Sequence, residues 1–167
     1  MKMIATTYPI MATYQREVWV DAPFDDVWKF YSTTDGLEAL TPEWMNLRVE
    51  GIKGPDGDPN PDVLETGTQI RLSLLPFGVG PRQRWISTIV RREEKDGAAM
   101  FEDEMRNGPF PEWTHIHQFY AGDGRTLVRD KVKYRFPALG ETGSPLAKVG
   151  FEPMFRYRHE KTKKLLE

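Results

Sequence analysis

Cysteine is missing from all 167 residues. Its absence excludes a disulfide framework, a thiolate metal site and a cysteine nucleophile. An excess of one charge is missing too. The chain sets 23 Lys and Arg against 25 Asp and Glu, a formal net charge of −2, which offers no basic footprint for nucleic acid. No apolar run approaches the roughly 18 residues of a membrane span. Met1 to Ala12, interrupted by Pro9, lacks the apolar core of a signal peptide. No serine stands in a Gly-x-Ser-x-Gly turn, so Ser73 and Ser87 read as ordinary strand serines and nucleophilic catalysis has little support. The expectation is a cytoplasmic protein with no stable membrane insertion and no nucleic-acid partner, present as a monomer or homodimer.

Aromatic residues are plentiful, at 12% of the chain with five Trp and nine Phe. They supply buried area and also line small-molecule pockets. The length suits one domain, here expected over 13–167 behind a leader or extra strand segment at 1–12.

Alternation predicts a first strand at Tyr14–Val20. Asp21 and Pro23 then resemble a helix start, and Phe24, Val27, Trp28 and Tyr31 recur at helical spacing. A second short helix, capped by Thr34-Asp35 with Leu37 and Leu40 inward, should stop before Pro42. Trp44–Lys53 reads as a second strand, followed by a Pro-, Gly- and Asp-rich loop over 54–67. Its Asp56, Asp58 and Asn60 brush against a calcium-loop pattern, but Pro61 and Gly67 stand where that pattern needs Gly and Glu. Five further strands are predicted at Thr68–Leu75, Arg82–Glu94, Ala98–Met105, Trp113–Ala121 and Arg125–Phe136. Their short links argue for an antiparallel meander. Ala138–Pro145 reads as a loop and Pro145–Gly150 as a possible separate helical turn. A closing helix then carries Met154, Phe155, Arg158, Thr162 and Leu165 on one stripe, with Pro153 in its first turn. The fold class is α+β: a curved antiparallel sheet of six to seven strands wrapped around a long C-terminal helix, with two short helices after strand 1 and an internal cavity.

Val18-Trp19-Val20-Asp21-Ala22-Pro23 with Val27-Trp28-Lys29-Phe30 resembles the opening of the helix-grip superfamily typified by the birch-pollen allergen and START domains, often labelled SRPBCC or polyketide cyclase/dehydrase-like. Phe101-Glu102-Asp103-Glu104, Gly108-Pro109-Phe110, Trp113 through Phe119, and Asp130 through Tyr134 to Pro137 extend the resemblance to ligand-binding members of bacteria and archaea. The loop at 54–67 departs from it. The resemblance implies carriage of a small hydrophobic ligand in an internal cavity. As an alternative it implies cofactor-free cyclase or dehydrase chemistry.

The period of two in a strand gives each side chain a face. Leu127, Arg129, Lys131, Lys133 and Arg135 are mostly cationic and mark the wet face of the last strand, so Val128, Asp130, Val132 and Tyr134 point inward. The same argument turns Trp113, His115, His117 and Phe119 inward on the strand before, Phe101, Asp103 and Met105 on the one before that, and Trp85 and Ile89 on a third. The candidate pocket is walled by Trp85, Phe101, Trp113, Phe119 and Tyr134 and lidded by Phe151, Met154 and Phe155. A polar spine of Asp103, His115, His117 and Asp130 runs through it. A buried His–Asp pair is often structural; if the protein is an enzyme, His115 moves a proton and Asp130 orients or charges it. His115-x-His117 with Asp130 or Asp103 contains the donors of a zinc site, but such strand pairs are common without metal, so no metal and no cofactor is assigned. The cationic face is expected to pair with Glu102 and Glu104 across strands. The basic stretch Arg156–Lys164 reads as a solvated helix face.

Overall fold

A computed structural model of the chain describes residues 11–135 and 144–167, the side chains of 144–149 excepted. The leader expected at 1–12 therefore lies outside the described residues up to position 10, and so does most of the loop expected at 138–145. Ala12, placed in that leader or extra strand segment, is the first residue of strand β1, Ala12–Val20. Two short helices follow, α1 at Phe24–Tyr31 and α2 at Thr34–Ala39. Then come strands β2 (Arg48–Lys53), β3 (Gln69–Leu74), β4 (Gln83–Lys95), β5 (Ala98–Arg106), β6 (Glu112–Ala121) and β7 (Thr126–Arg135). Helix α3, Ser144–Leu166, closes the chain.

The seven strands form one sheet in the order β1-β7-β6-β5-β4-β3-β2, with every neighbouring pair antiparallel. Its inner face packs on α1 and α3. Of the stripe read from the sequence of α1, Val27, Trp28 and Tyr31 are buried and Phe24 packs partly buried against the core. Glu152 ties α3 to β1, accepting from the Tyr14 hydroxyl at 2.6 Å and pairing with Arg16. Tyr14 also packs edge-on against Phe151 and, tilted, against Phe155. The α+β helix-grip expectation is therefore met, with seven strands.

Several local expectations are corrected. Trp44 does not open a strand: Glu43–Met45 is a 3₁₀ turn ending at Asn46 in the left-handed region, and β2 begins at Arg48. Thr33, not Thr34 or Asp35, caps α2, its hydroxyl accepting from the Gly36 amide at 3.2 Å. Asp21 does not cap α1; its amide instead donates to Glu167. The closing helix is continuous from Ser144, so Pro145–Gly150 is no separate turn and Pro153 sits inside the helix. Leu165 is 46% exposed, and its neighbour Leu166 packs on the core instead. The cationic strand pairs with other partners than expected, because β7 lies between β1 and β6 while Glu102 and Glu104 sit on β5. Arg129 meets Glu17, and Arg135 meets Glu112, each at 2.8 Å. In the 54–67 loop, Asp56 and Asp58 spend carboxylate oxygens on the amides of Asp58 and Asn60, as turn residues do.

A bulge in β4 between Ile89 and Arg91 resets its alternation. Before it, Trp85, Ser87 and Ile89 face inward. Beyond it, Arg92 stands opposite the inward Phe101, its guanidinium 4.0 Å from the Trp28 ring centroid and donating to Ser32 Oγ at 3.0 Å.

Candidate functional site

Sheet, α3 and the α2 region enclose a cavity of about 530 Å³. One end is apolar, walled by Leu37, Leu40, Leu64, Ile70, Leu72 and Leu74. Trp44, also in the lining, is 39% exposed and stacks on Phe77 at 4.9 Å between centroids, where the wall meets solvent. The other end is polar, with Ser87, Asp103, His115, His117 and Arg158 in the lining. Trp85, Phe101, Trp113, Phe151, Met154 and Phe155 close the space between.

Cross-strand register assembles the polar end. Asp103 on β5 stands opposite His115 on β6, and His117 stands opposite Asp130 on β7. The imidazoles of His115 and His117 lie 3.7 Å apart, centroid to centroid. Both span the gap between the two carboxylates. At the inner end, the His115 Nε2–H donates to Asp130 Oδ1 at 2.9 Å, and His117 Nδ1 stands 3.0 Å from the same oxygen, out of line for a hydrogen bond. At the cavity end, His115 Nδ1 and His117 Nε2 stand 3.9 and 3.4 Å from Asp103 Oδ2. Ser87 donates to Asp103 Oδ1 at 2.9 Å, so this serine is part of the site and not merely a strand position.

Asp130 is fully buried and serves as the hub. Its second oxygen accepts from His159 Nε2–H at 2.7 Å and stands 3.9 Å from Arg158 Nε. Burial alone would raise this carboxyl, but the three imidazoles and the guanidinium outweigh it and hold the group well below the ordinary carboxylate range. Asp103 follows the same balance, burial opposed by His117, His115 and Ser87, with its pKa lowered. His115 goes down, to about 4, because burial and the neighbouring His117 disfavour its cation more than Asp130 and Asp103 favour it. Tyr31, whose hydroxyl meets Thr162 at 2.6 Å, is pushed up to about 12 by burial and stays a phenol.

Nine of the residues expected at the site line the cavity: Trp85, Phe101, Asp103, Trp113, His115, His117, Phe151, Met154 and Phe155. Phe119, Asp130 and Tyr134 do not. Phe119 packs between Trp28 and Tyr31 in the core, Tyr134 packs edge-on against Phe110 and Phe151, and Asp130 lies one layer behind the wall. Sequence reasoning put Arg158 on the stripe of the closing helix without assigning it to the site, and missed His159. His159 fell inside a stretch read as a solvated basic face, although it lies four residues after the inward Phe155 and so shares its stripe. One ligand atom from each of Asp103, His115 and His117 lies within 4.8 Å of the others, the set that could hold a metal ion.

The sequence matches the family described as polyketide cyclase / dehydrase and lipid transport over residues 20–158. No curated protein matches. Among solved structures, truncated norcoclaurine synthase from Thalictrum flavum is similar at 18% identity and a TM-score of 0.66, covering 98% of this chain and 99% of that one. The protein Ara h 8.0201 is similar at 14% identity and a TM-score of 0.58, with 92% and 98% covered. A protein from Mycobacterium smegmatis is similar at 17% identity and a TM-score of 0.65, with 93% and 91% covered. At these identities the likeness is one of fold.

Proposed function

The chain belongs to the polyketide cyclase / dehydrase and lipid transport family, and from that premise we propose that it binds or carries a small hydrophobic ligand bearing a few polar groups in its internal cavity. The observation that carries this reading is the cavity itself. Its volume of about 530 Å³ lies within the roughly 300–1,000 Å³ typical of small-molecule sites. Its lining segregates an apolar end from a polar one, which suits a ligand with an apolar body and one polar end. No helix among the described residues is long and apolar enough to cross a membrane, and carriage needs none.

Three of the five tryptophans, Trp44, Trp85 and Trp113, line the cavity, so ligand entry should change intrinsic fluorescence. Native mass spectrometry of the purified protein, with solvent extraction of bound material, identifies the ligand. The probe 1-anilinonaphthalene-8-sulfonate should bind the unaltered protein. Leu72→Trp, enlarging a buried wall residue, should weaken that binding at least tenfold. Equal binding by the variant, or no fluorescence response across a lipid and polyketide panel, would count against the reading.

A second reading is acid–base catalysis on a cyclisable substrate, and one observation favours it. His115 lines the cavity while Asp130 takes its Nε2 proton in a hydrogen bond from behind. The opposite nitrogen is thereby left as a base toward the cavity. His115→Ala and Asp130→Asn should then abolish turnover of an identified substrate while the protein stays folded and still binds it.

A further inference from the structure

We propose that Asp103, His115 and His117 form a divalent transition-metal site, with Asp130 as the carboxylate that orients His115 through a hydrogen bond and lies beside His117. Alternation in the sequence brought the histidines to one face without saying which nitrogens meet which oxygen; the geometry supplies that. Both His115 Nε2 and His117 Nδ1 approach one oxygen of Asp130. A carboxylate at the distal nitrogen of a ligating histidine fixes the tautomer and raises ligand basicity, the usual outer-shell arrangement of imidazole metal sites. For His115 it leaves Nδ1 to present a lone pair; His117 Nδ1 lies 3.0 Å from the same Asp130 oxygen without a hydrogen bond, and His115 Nδ1 and His117 Nε2 both stand near a single oxygen, Asp103 Oδ2.

Two imidazole nitrogens converging on an anionic oxygen, the one on His115 a lone pair, need a cation or a proton between them. Metal bonds of about 2.0–2.1 Å place neighbouring donors roughly 3.0–3.4 Å apart. The His117–Asp103 distance of 3.4 Å already meets that spacing, and the His115–Asp103 distance of 3.9 Å needs a closure of a few tenths of an ångström. Ser87 holds the other Asp103 oxygen, so the carboxylate is anchored on both sides of the site. Charge points the same way. Of the two carboxylates, buried Asp130 and part-buried Asp103, the ion pair with a guanidinium among the described residues is that of Asp130 with Arg158. Two imidazoles and one carboxylate, with further positions open, suit first-row ions such as iron(II) or zinc(II). Because all three donors line the cavity, the open positions face it. There a carbonyl, phenolate or carboxylate oxygen on a bound molecule can complete the coordination. The inference is independent of ligand carriage, which its failure would leave standing.

The test is a cobalt(II) titration of chelator-treated, dialysed protein. One equivalent should bind and produce ligand-field bands in the visible. Asp103→Asn and His117→Gln should each weaken binding at least 100-fold, and Asp130→Asn roughly 10- to 100-fold, the usual effect of losing an outer-shell partner. Glu102→Gln, on the opposite face of β5, should bind as the unaltered protein does. If the ligand variants do not fold, paramagnetic shifts in the unaltered protein decide: cobalt(II) should displace the imidazole proton resonances of His115 and His117 ahead of those of His159. Substoichiometric uptake, full binding by Asp103→Asn, or shifts that spare these two rings would overturn the site.

Discussion

Replacing the hub carboxylate with its uncharged isostere, Asp130→Asn, should destabilise the fold by about 3–4 kcal/mol. The magnitude follows from what the carboxylate holds. It accepts charge-assisted hydrogen bonds from His115 at 2.9 Å and His159 at 2.7 Å and faces Arg158 at 3.9 Å, with no exposure to water. Breaking one side of a buried ionic network costs about 3–5 kcal/mol, because the remaining charge is left without a partner. Asparagine keeps one acceptor oxygen, which retains about 1 kcal/mol of a neutral hydrogen bond and places the expectation in the lower part of that range. The Arg158 side chain, 11% exposed, has little water to fall back on.

Urea denaturation at pH 7 in the presence of chelator, followed by tryptophan fluorescence and circular dichroism, reads this directly. With a slope near 2 kcal/mol per molar urea, the midpoint should fall by roughly 1.5–2 M at unchanged slope. The pH dependence has a definite sign. A carboxyl whose folded pKa is depressed contributes stability above its unfolded pKa and loses it as pH falls through the folded value. The gap between the two proteins should therefore persist down to about pH 4, below which the unfolded Asp130 begins to take up its proton. A loss under about 1 kcal/mol at pH 7 would refute the account, since it would mean that the imidazoles and Arg158 are held equally well without the charge.

His115 gives a second pH signature, of opposite origin but the same direction. Its folded pKa of about 4 lies below the 6.5 of an unperturbed imidazole, so between those values the unfolded state binds more protons and stability falls as pH falls. Facing His117, Asp103 and Asp130, with Arg158 and His159 beyond, it should remove about 3 kcal/mol in total by pH 4; thermal melts from pH 7.5 to 4.5 in chelator check this, and a flat profile over pH 6.5–5 would contradict it. Gly36→Ala should destabilise by about 1–3 kcal/mol, because a Cβ there collides with the backbone carbonyl oxygen of Phe30; an unchanged melting temperature would show that α1 and α2 can separate at no cost.

Much of the fold was legible because its signals are local. Alternation and turn residues placed six of the strands within a few residues, and the cationic row Arg129, Lys131, Lys133, Arg135 told outside from inside on β7. That one assignment oriented Asp130, and the same alternation argument turned the histidines inward on the strand before. The misreadings share a physical cause: they depend on which strand neighbours which, or on what a helix docks against. Glu102 and Glu104 were paired with β7 because sequence gives no strand order. The β4 bulge, which turns Arg92 onto the inner face, has no sequence mark at Val90. His159 was lost, and Arg158 was left off the site despite its place on the stripe of the closing helix, because a basic stretch is ordinarily solvated, and only the buried Asp130 opposite makes a cation stable inside.

The position of Asp130 one layer behind the cavity wall bears on the open question of chemistry. Asp103, the carboxylate in the lining, stands 3.9 and 3.4 Å from His115 and His117, while Asp130 holds the His115 proton from the far side. Set behind, Asp130 takes the distal Nε2 proton of His115 and leaves its cavity-facing Nδ1 as a lone pair, while His117 Nδ1 approaches the same oxygen out of line. A lone pair there can accept a proton from a substrate or bind a cation, but it cannot do both at once. The two readings of the polar end therefore make opposite predictions for a single measurement. If His115 acts as a base, added zinc(II) should inhibit turnover of an identified substrate in proportion to occupancy of the site. If the ion polarises a ligand oxygen, chelator should abolish turnover and one equivalent of metal should restore it. Turnover indifferent to both treatments would exclude the cavity-facing nitrogens from the reaction and leave the cluster the task of holding the sheet to α3.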